Sequence, residues 1–202
     1  EETVGATLSV ASDGFSHKIK WSLGDSSVTH SLSAGVTKDA FTVPLSWSEE
    51  ITNAKSGTIS VTLATYKGTK KIGSKAYSLK LIIPATEEFL PDFNLITERI
   101  DNAVPLEIGE YVKGKSQIRL NIENLNLKHG AKASSYIAKV GSSSKTTLPA
   151  TFDLTKSGEI SVSVTVKDSR GFSVTKSETI NVLNYSAPTV SVNSLYRCDE
   201  KG

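Results

Sequence analysis

The octapeptide Ser56-Gly57-Thr58-Ile59-Ser60-Val61-Thr62-Leu63 returns 101 residues later (56 to 157) as Ser157-Gly158-Glu159-Ile160-Ser161-Val162-Ser163-Val164. At the same offset Leu79 and Leu81 fall on Ile180 and Val182, so the apolar positions stay in phase beyond the shared text. A repeat of about one hundred residues is the size of a small domain. Both copies alternate apolar with polar residues, which in a strand places the two sets on opposite faces. The chain is thus constrained to form one kind of unit twice, and to build it from strands.

The rest of the sequence agrees. Ile19, Trp21 and Leu23 alternate with Lys18, Lys20 and Ser22, and Ile118, Leu120 and Ile122 alternate with polar residues. Asp13-Gly14, Lys67-Gly68 and Asp168-Ser169-Arg170-Gly171 separate such runs. In these places Gly supplies positive φ and Asp or Ser can bond the backbone, so each is expected to be a hairpin connection. Residues 85–102 are the one stretch where a helical turn fits. Short strands about ten residues apart predict an all-β chain of two tandem immunoglobulin-like antiparallel β-sandwiches.

Prolines suggest the boundaries. Pro84 follows the last apolar run of the first unit and Pro91 opens the next, while Tyr185-Ser186-Ala187-Pro188 follows the matching run in the second. The expected organisation is residues 1–85 as one unit, 86–186 as another, and 187–202 as a linker and the start of a truncated third. A proline junction is extended and semi-rigid.

Composition excludes several functions. Lys and Arg number 23 against 21 Asp and Glu, and the signs are interspersed, so no broad basic field invites nucleic acid. No apolar run approaches the length of a membrane-spanning helix, so membrane insertion is not expected. Cys198 is the single cysteine, and an intra-chain disulfide is impossible.

Two spellings invite catalytic readings. Gly109-Glu110-Tyr111-Val112-Lys113-Gly114-Lys115-Ser116 satisfies the phosphate-loop pattern letter for letter. That loop needs a following helix, whereas Ser116 leads into an alternating strand. Ser142-Ser143-Ser144-Lys145 spells the S-x-x-K of penicillin-recognising enzymes but lacks companion motifs, and is expected to be a flexible hairpin tip. His17, His30 and His129 are scattered and expected to be solvated. No spacing suggests a zinc or calcium site, so neither metal nor cofactor is expected. No catalytic residues are assigned.

Aromatics remain as binding candidates. Trp21 is in phase with Ile19 and Leu23 and belongs to the core. Trp47, beside Pro44 and outside clean alternation, either caps one end of the sandwich or offers a face for sugar or protein contact. Tyr66 and Tyr111 lie beside turns where an amphipathic ring can also make contact.

The chain resembles the siphophage minor structural proteins, a family associated with tails of viruses of Gram-positive bacteria. The resemblance rests on Trp21-Ser22-Leu23-Gly24, Val43-Pro44-Leu45-Ser46, Ile51-Thr52-Asn53-Ala54-Lys55-Ser56-Gly57, Thr65-Tyr66-Lys67-Gly68 and Ile72-Gly73-Ser74-Lys75 in the first half. In the second it rests on the Gly109 to Ser116 text, Val166-Lys167-Asp168-Ser169-Arg170-Gly171, Tyr185-Ser186-Ala187-Pro188 and Tyr196-Arg197-Cys198-Asp199. It implies a virion protein of the tail, extracellular and host-facing, whose partners are other tail proteins. The implied role is a non-catalytic spacer in a tail fibre or tail tip. The alternative is a carbohydrate-binding adhesin contacting the host cell wall, for which Trp47, Tyr66 and Tyr111 are the candidate contacts. Phage fibres are often homo-oligomers, but no heptads are present to drive assembly here.

Overall fold

The computed structural model describes residues 2–9, 14–100 and 108–192. Among them the chain is almost entirely β. The strands in order are β1 (Glu2–Thr7), β2 (Ser16–Leu23), β3 (Ser26–Leu32), β4 (Lys38–Val43), β5 (Ser56–Lys67), β6 (Lys70–Ile82) and β7 (Asp92–Arg99). They continue with β8 (Tyr111–Val112), β9 (Gln117–Asn126), β10 (Ala133–Val140), β11 (Ser143–Lys145), β12 (Ala150–Asp153), β13 (Gly158–Asp168) and β14 (Ser173–Leu183). One short 3-10 helix, Leu45–Glu50, follows β4.

Alternation decides which face of each strand is buried. In β2 the inward Ile19 and Trp21 are 1% exposed while Lys18 and Lys20 stay in water. In β13 Val162, Val164 and Val166 are fully buried. These faces close two cores. The first lies between the pair β1-β4 and the four-stranded antiparallel sheet β3-β2-β5-β6; it gathers Ile19, Trp21, Phe41, Trp47 and Ile59. The second lies between β12-β9-β7 and the five-stranded sheet β11-β10-β13-β14-β8, where only β8 and β14 pair in parallel. The repeated text supplies the same element twice: β5 and β13 are long strands, each paired with the strand that follows it.

Trp21 is fixed within the first core. It stacks on Phe41 at a ring separation of 5.6 Å, and its Nε1 donates to Asp39 Oδ2 at 3.1 Å. His30 Nδ1 donates to Asp39 Oδ1 at 2.8 Å, so one carboxylate satisfies two ring N–H groups.

The helical turn expected within residues 85–102 is a single one, in which Thr86 O accepts from Phe89 N and Leu90 N. Pro91 then pushes the backbone before it toward extended geometry, and β7 follows with Phe93 buried. Residues 101–102 of that stretch lie outside the described residues. Asp13 does too; of the strands on either side, β1 pairs with β4 and β2 with β3 and β5, so β1 and β2 do not form the expected hairpin. Packing also passes residue 85, because Phe89 and Leu90 lie against the first core. Cys198 and the Tyr196-Arg197-Cys198-Asp199 text lie outside the described residues, and residues 184–192 carry no strand.

The histidines are not simply solvated. His17 is buried, with Nδ1 3.1 Å from Thr65 Oγ1 and no partner for Nε2 among the described residues. His129 Nε2 lies 2.7 Å from Glu88 Oε1.

At the mouth of the second core, Asp92 accepts from Lys176 Nζ at 2.8 Å and from Phe93 N at 2.9 Å. The hydrogen bond and charge of Lys176 hold its carboxyl below the usual value. A depressed folded-state pKa contributes stability that is present above the unfolded value, about pH 4, and lost as pH falls through the folded one. Asp92→Asn is expected to flatten slightly the fall in Tm between about pH 5 and pH 2.5, and the exposure of the pair keeps the effect small. Superimposable pH profiles in thermal melts would contradict this.

Candidate functional site: the clamp at Arg170

The connection between β13 and β14 is longer than its counterpart in the first unit. Between β5 and β6, Lys67 pairs with Lys70 and leaves Gly68-Thr69 as the turn. Between β13 and β14, Lys167 pairs with Ser173 and leaves five residues, Asp168 to Phe172. Asp168 organises this longer loop: its Oδ1 accepts from Phe172 N at 2.8 Å, and its own N–H donates to Phe172 O at 2.9 Å. Gly171, at φ 89°, takes a left-handed conformation that a side chain would strain. The result is a rigid tip that presents Ser169, Arg170 and Phe172 away from the second core.

All three enter the first half of the chain. Phe172 is 5% exposed and belongs to the first core, with Lys55 Nζ 5.0 Å above its ring. Burying such a ring contributes roughly 2–3 kcal/mol. Ser169 Oγ donates to Thr52 O in a short hydrogen bond and accepts from Lys132 N at 3.0 Å.

Arg170 is 4% exposed, and its fork makes four hydrogen bonds, all to main-chain carbonyls. Nε donates to Ile51 O at 2.7 Å and Nη2 to Ser48 O at 3.1 Å, the first just after the 3-10 helix and the second within it. Nη1 donates to Lys128 O at 2.9 Å and Nη2 also to His129 O at 2.5 Å, both in the loop after β9. The guanidinium lies 6.0 Å from the Phe89 ring, which comes from the segment joining the two halves. Burial lowers the pKa of Arg170, and the negative charge of Asp168 pushes it back up. Arginine nevertheless keeps its proton. One side chain therefore ties together the first unit, the joining segment and the second unit.

Around it, Gly130 sits so close that a Cβ there would lie 3.2 Å from Thr52 Cγ2. The rings of Phe89 and His129 are 5.0 Å apart, and His129 carries the Glu88 contact.

The three aromatic candidates do not converge. Trp47 is 5% exposed, in the 3-10 helix, with its ring 5.0 Å from Phe41. The reading of Trp47 as an exposed contact face is thereby corrected: Pro44 opens a 3-10 turn that rolls the ring inward, where period-two alternation no longer indicates direction. Tyr66 is half-buried at the far end of β5, with Lys18 Nζ 5.5 Å above its ring. Tyr111 is half-buried in β8 and packs against the second core.

The phosphate-loop spelling is a tight turn and not a cradle. Val112 O accepts from Lys115 N and Ser116 N, and Ser116 Oγ is consumed by Val112 N at 2.9 Å. No helix follows; β9 does. The Ser142 to Lys145 text is a hairpin turn running into edge strand β11, with Lys145 Nζ bonded to Thr151 O. Among the described residues no group of three or more His, Cys, Asp or Glu could hold a metal ion. No helix among them is long and apolar enough to cross a membrane.

Arg170 escaped the sequence reading because an arginine at a turn tip ordinarily points into water. The available signal was Phe172: a large apolar residue beside that tip has no place to go within its own hairpin.

A solved structure of Clostridium thermocellum CbhA fibronectin(III)-like modules is similar over 96% of this chain and 92% of that chain, at 13% identity and a TM-score of 0.36. No curated protein matches the chain. The model of a family described as siphovirus protein of unknown function (DUF859) matches residues 2–201, and the chain belongs to that family, in keeping with the resemblance its own text carries.

Proposed function

We propose that the chain is a non-catalytic structural module of a phage tail fibre or tail tip, two tandem immunoglobulin-like sandwiches that space and support host-adhesion elements. The observation that carries this reading is the clamp at Arg170. A spacer must transmit position, which requires its units to hold a fixed angle, whereas linked domains move relative to one another by default unless their interface is tight. A buried five-donor fork spent on four carbonyls across the junction favours a stiff rod over a flexible string.

Immunogold labelling of intact virions with antibody raised against this chain tests the assignment. Label at the tail tip or fibres is expected; label confined to the capsid, or none on virions, would overturn it. The adhesin alternative is tested separately by retention of the purified chain on host cell walls. The spacer reading expects no retention, and retention lost in a folded Tyr66→Ala or Tyr111→Ala variant would replace it with a carbohydrate-binding role.

A further inference from the structure

The repeat supplies an internal comparison for β6. Leu79 and Leu81 of β6 match Ile180 and Val182 of β14. In β14 these positions are 8% and 1% exposed, and β8 pairs with its second edge at Val182 and Leu183. In β6 Leu79 is 39% exposed and Leu81 half-buried, and no strand among the described residues pairs with its second edge.

These are inward positions. Leu79 stands opposite Ile59 and Tyr77 opposite Val61, and residues paired across strands share a face. Ile59 and Val61 are buried, yet Tyr77 remains 50% exposed, because the facing sheet has only β1 and β4. β1 also has an unpaired outer edge among the described residues. Between β1 and β6 lies a cleft of about 390 Å³ floored by Ile19, Trp21, Val61 and Leu63. Further clefts continue it along β6, toward Ile82 at one end and Gly73 at the other.

The charge along this seam chooses the occupant. β6 carries Lys70, Lys71, Lys75 and Lys80 and no carboxylate. The one acidic residue lining the three clefts is Glu2, at the Ile82 end. Edge lysines discourage self-pairing. A second copy of β6 would double the lysines along one seam with nothing to neutralise them. We propose that the open side of the first sandwich accepts an extended, acidic segment of another protein as an added strand beside β6, its apolar side chains entering the cleft over Trp21 and its outward carboxylates meeting Lys71 and Lys80. Main-chain pairing supplies the affinity in such strand addition, and the alternate pockets supply the selection. The inference rests on this geometry and stands whether or not the chain is a tail spacer.

The test uses the full chain and a synthetic thirteen-residue peptide alternating valine with glutamate, fluorescently labelled and followed by anisotropy. One-to-one saturable binding is expected. The same peptide N-methylated at alternate residues keeps its charge but loses main-chain pairing, and is expected to bind at least about tenfold more weakly. Lys71→Glu with Lys80→Glu, both exposed on the outer face, is expected to weaken binding of the acidic peptide by a similar factor while leaving the melting temperature within a few degrees. Hydrogen exchange should slow at residues 72–82 when peptide is added. Absence of saturable binding, equal binding of the N-methylated peptide, protection confined elsewhere, or dimerisation of the chain alone through β6 would each overturn the proposal.

Discussion

Arg170→Ala is expected to destabilise the chain by about 3–5 kcal/mol and to uncouple its two halves. The guanidinium satisfies carbonyls of Ser48, Ile51, Lys128 and His129 in a buried setting. Removing it leaves Ser48 O and Lys128 O with their backbone donors, Ile51 N and Ala131 N, but takes the arginine from Ile51 O and His129 O and opens a cavity beside Phe89. Urea unfolding read by near-ultraviolet circular dichroism should show one transition for the natural chain and two for the variant. Residual dipolar couplings should fit a single alignment tensor before the change and two after it. Arg170→Lys is expected to recover less than half of the loss, because a point charge cannot reproduce a planar fork serving four carbonyls. An Arg170→Ala protein with unchanged stability and one alignment tensor would mean that the junction is held by Phe172 and Ser169 alone.

Trp47→Ala is expected to cost about 3–5 kcal/mol, the usual penalty for emptying a buried aromatic site. The ring is buried against Phe41, which in turn stacks on Trp21, so the loss reaches the centre of the first core. Trp47→Phe should restore most of it. Chemical unfolding measures the stability, and cell-wall retention is measured alongside it. A Trp47→Ala protein of natural stability that had lost an otherwise present retention would return Trp47 to the role of a contact residue.

Most strands were legible because a half-buried strand must alternate, and β2, β5, β9 and β13 do so over many residues. What alternation states is the face, not the partner. Nothing local in Glu2–Thr7 distinguishes pairing with β4 from a hairpin with β2, since that choice depends on how two sheets share a core. The 3-10 helix was missed for a related reason: six residues give too little periodicity to read, and Trp47 was therefore judged by its neighbour Pro44 and not by a face. The clamp was the least legible feature. Its donors and acceptors lie as much as 122 residues apart in sequence, and each looks ordinary alone: a turn arginine, two helix-end carbonyls and two loop carbonyls.

The wedge made by Phe172 also sets an order of events during synthesis. A ribosome delivers residues 1–90 well before residue 172, so the first core must wait with one aromatic place unfilled, although every strand of its own sheets has been made. Its final closure depends on the hairpin of the second unit arriving with Arg170 and Phe172 already shaped by Asp168. Domains usually mature one after another as they emerge. Here the earlier unit is completed by the later one, so a chain interrupted before the β13–β14 loop would carry a first half that had folded but never been sealed.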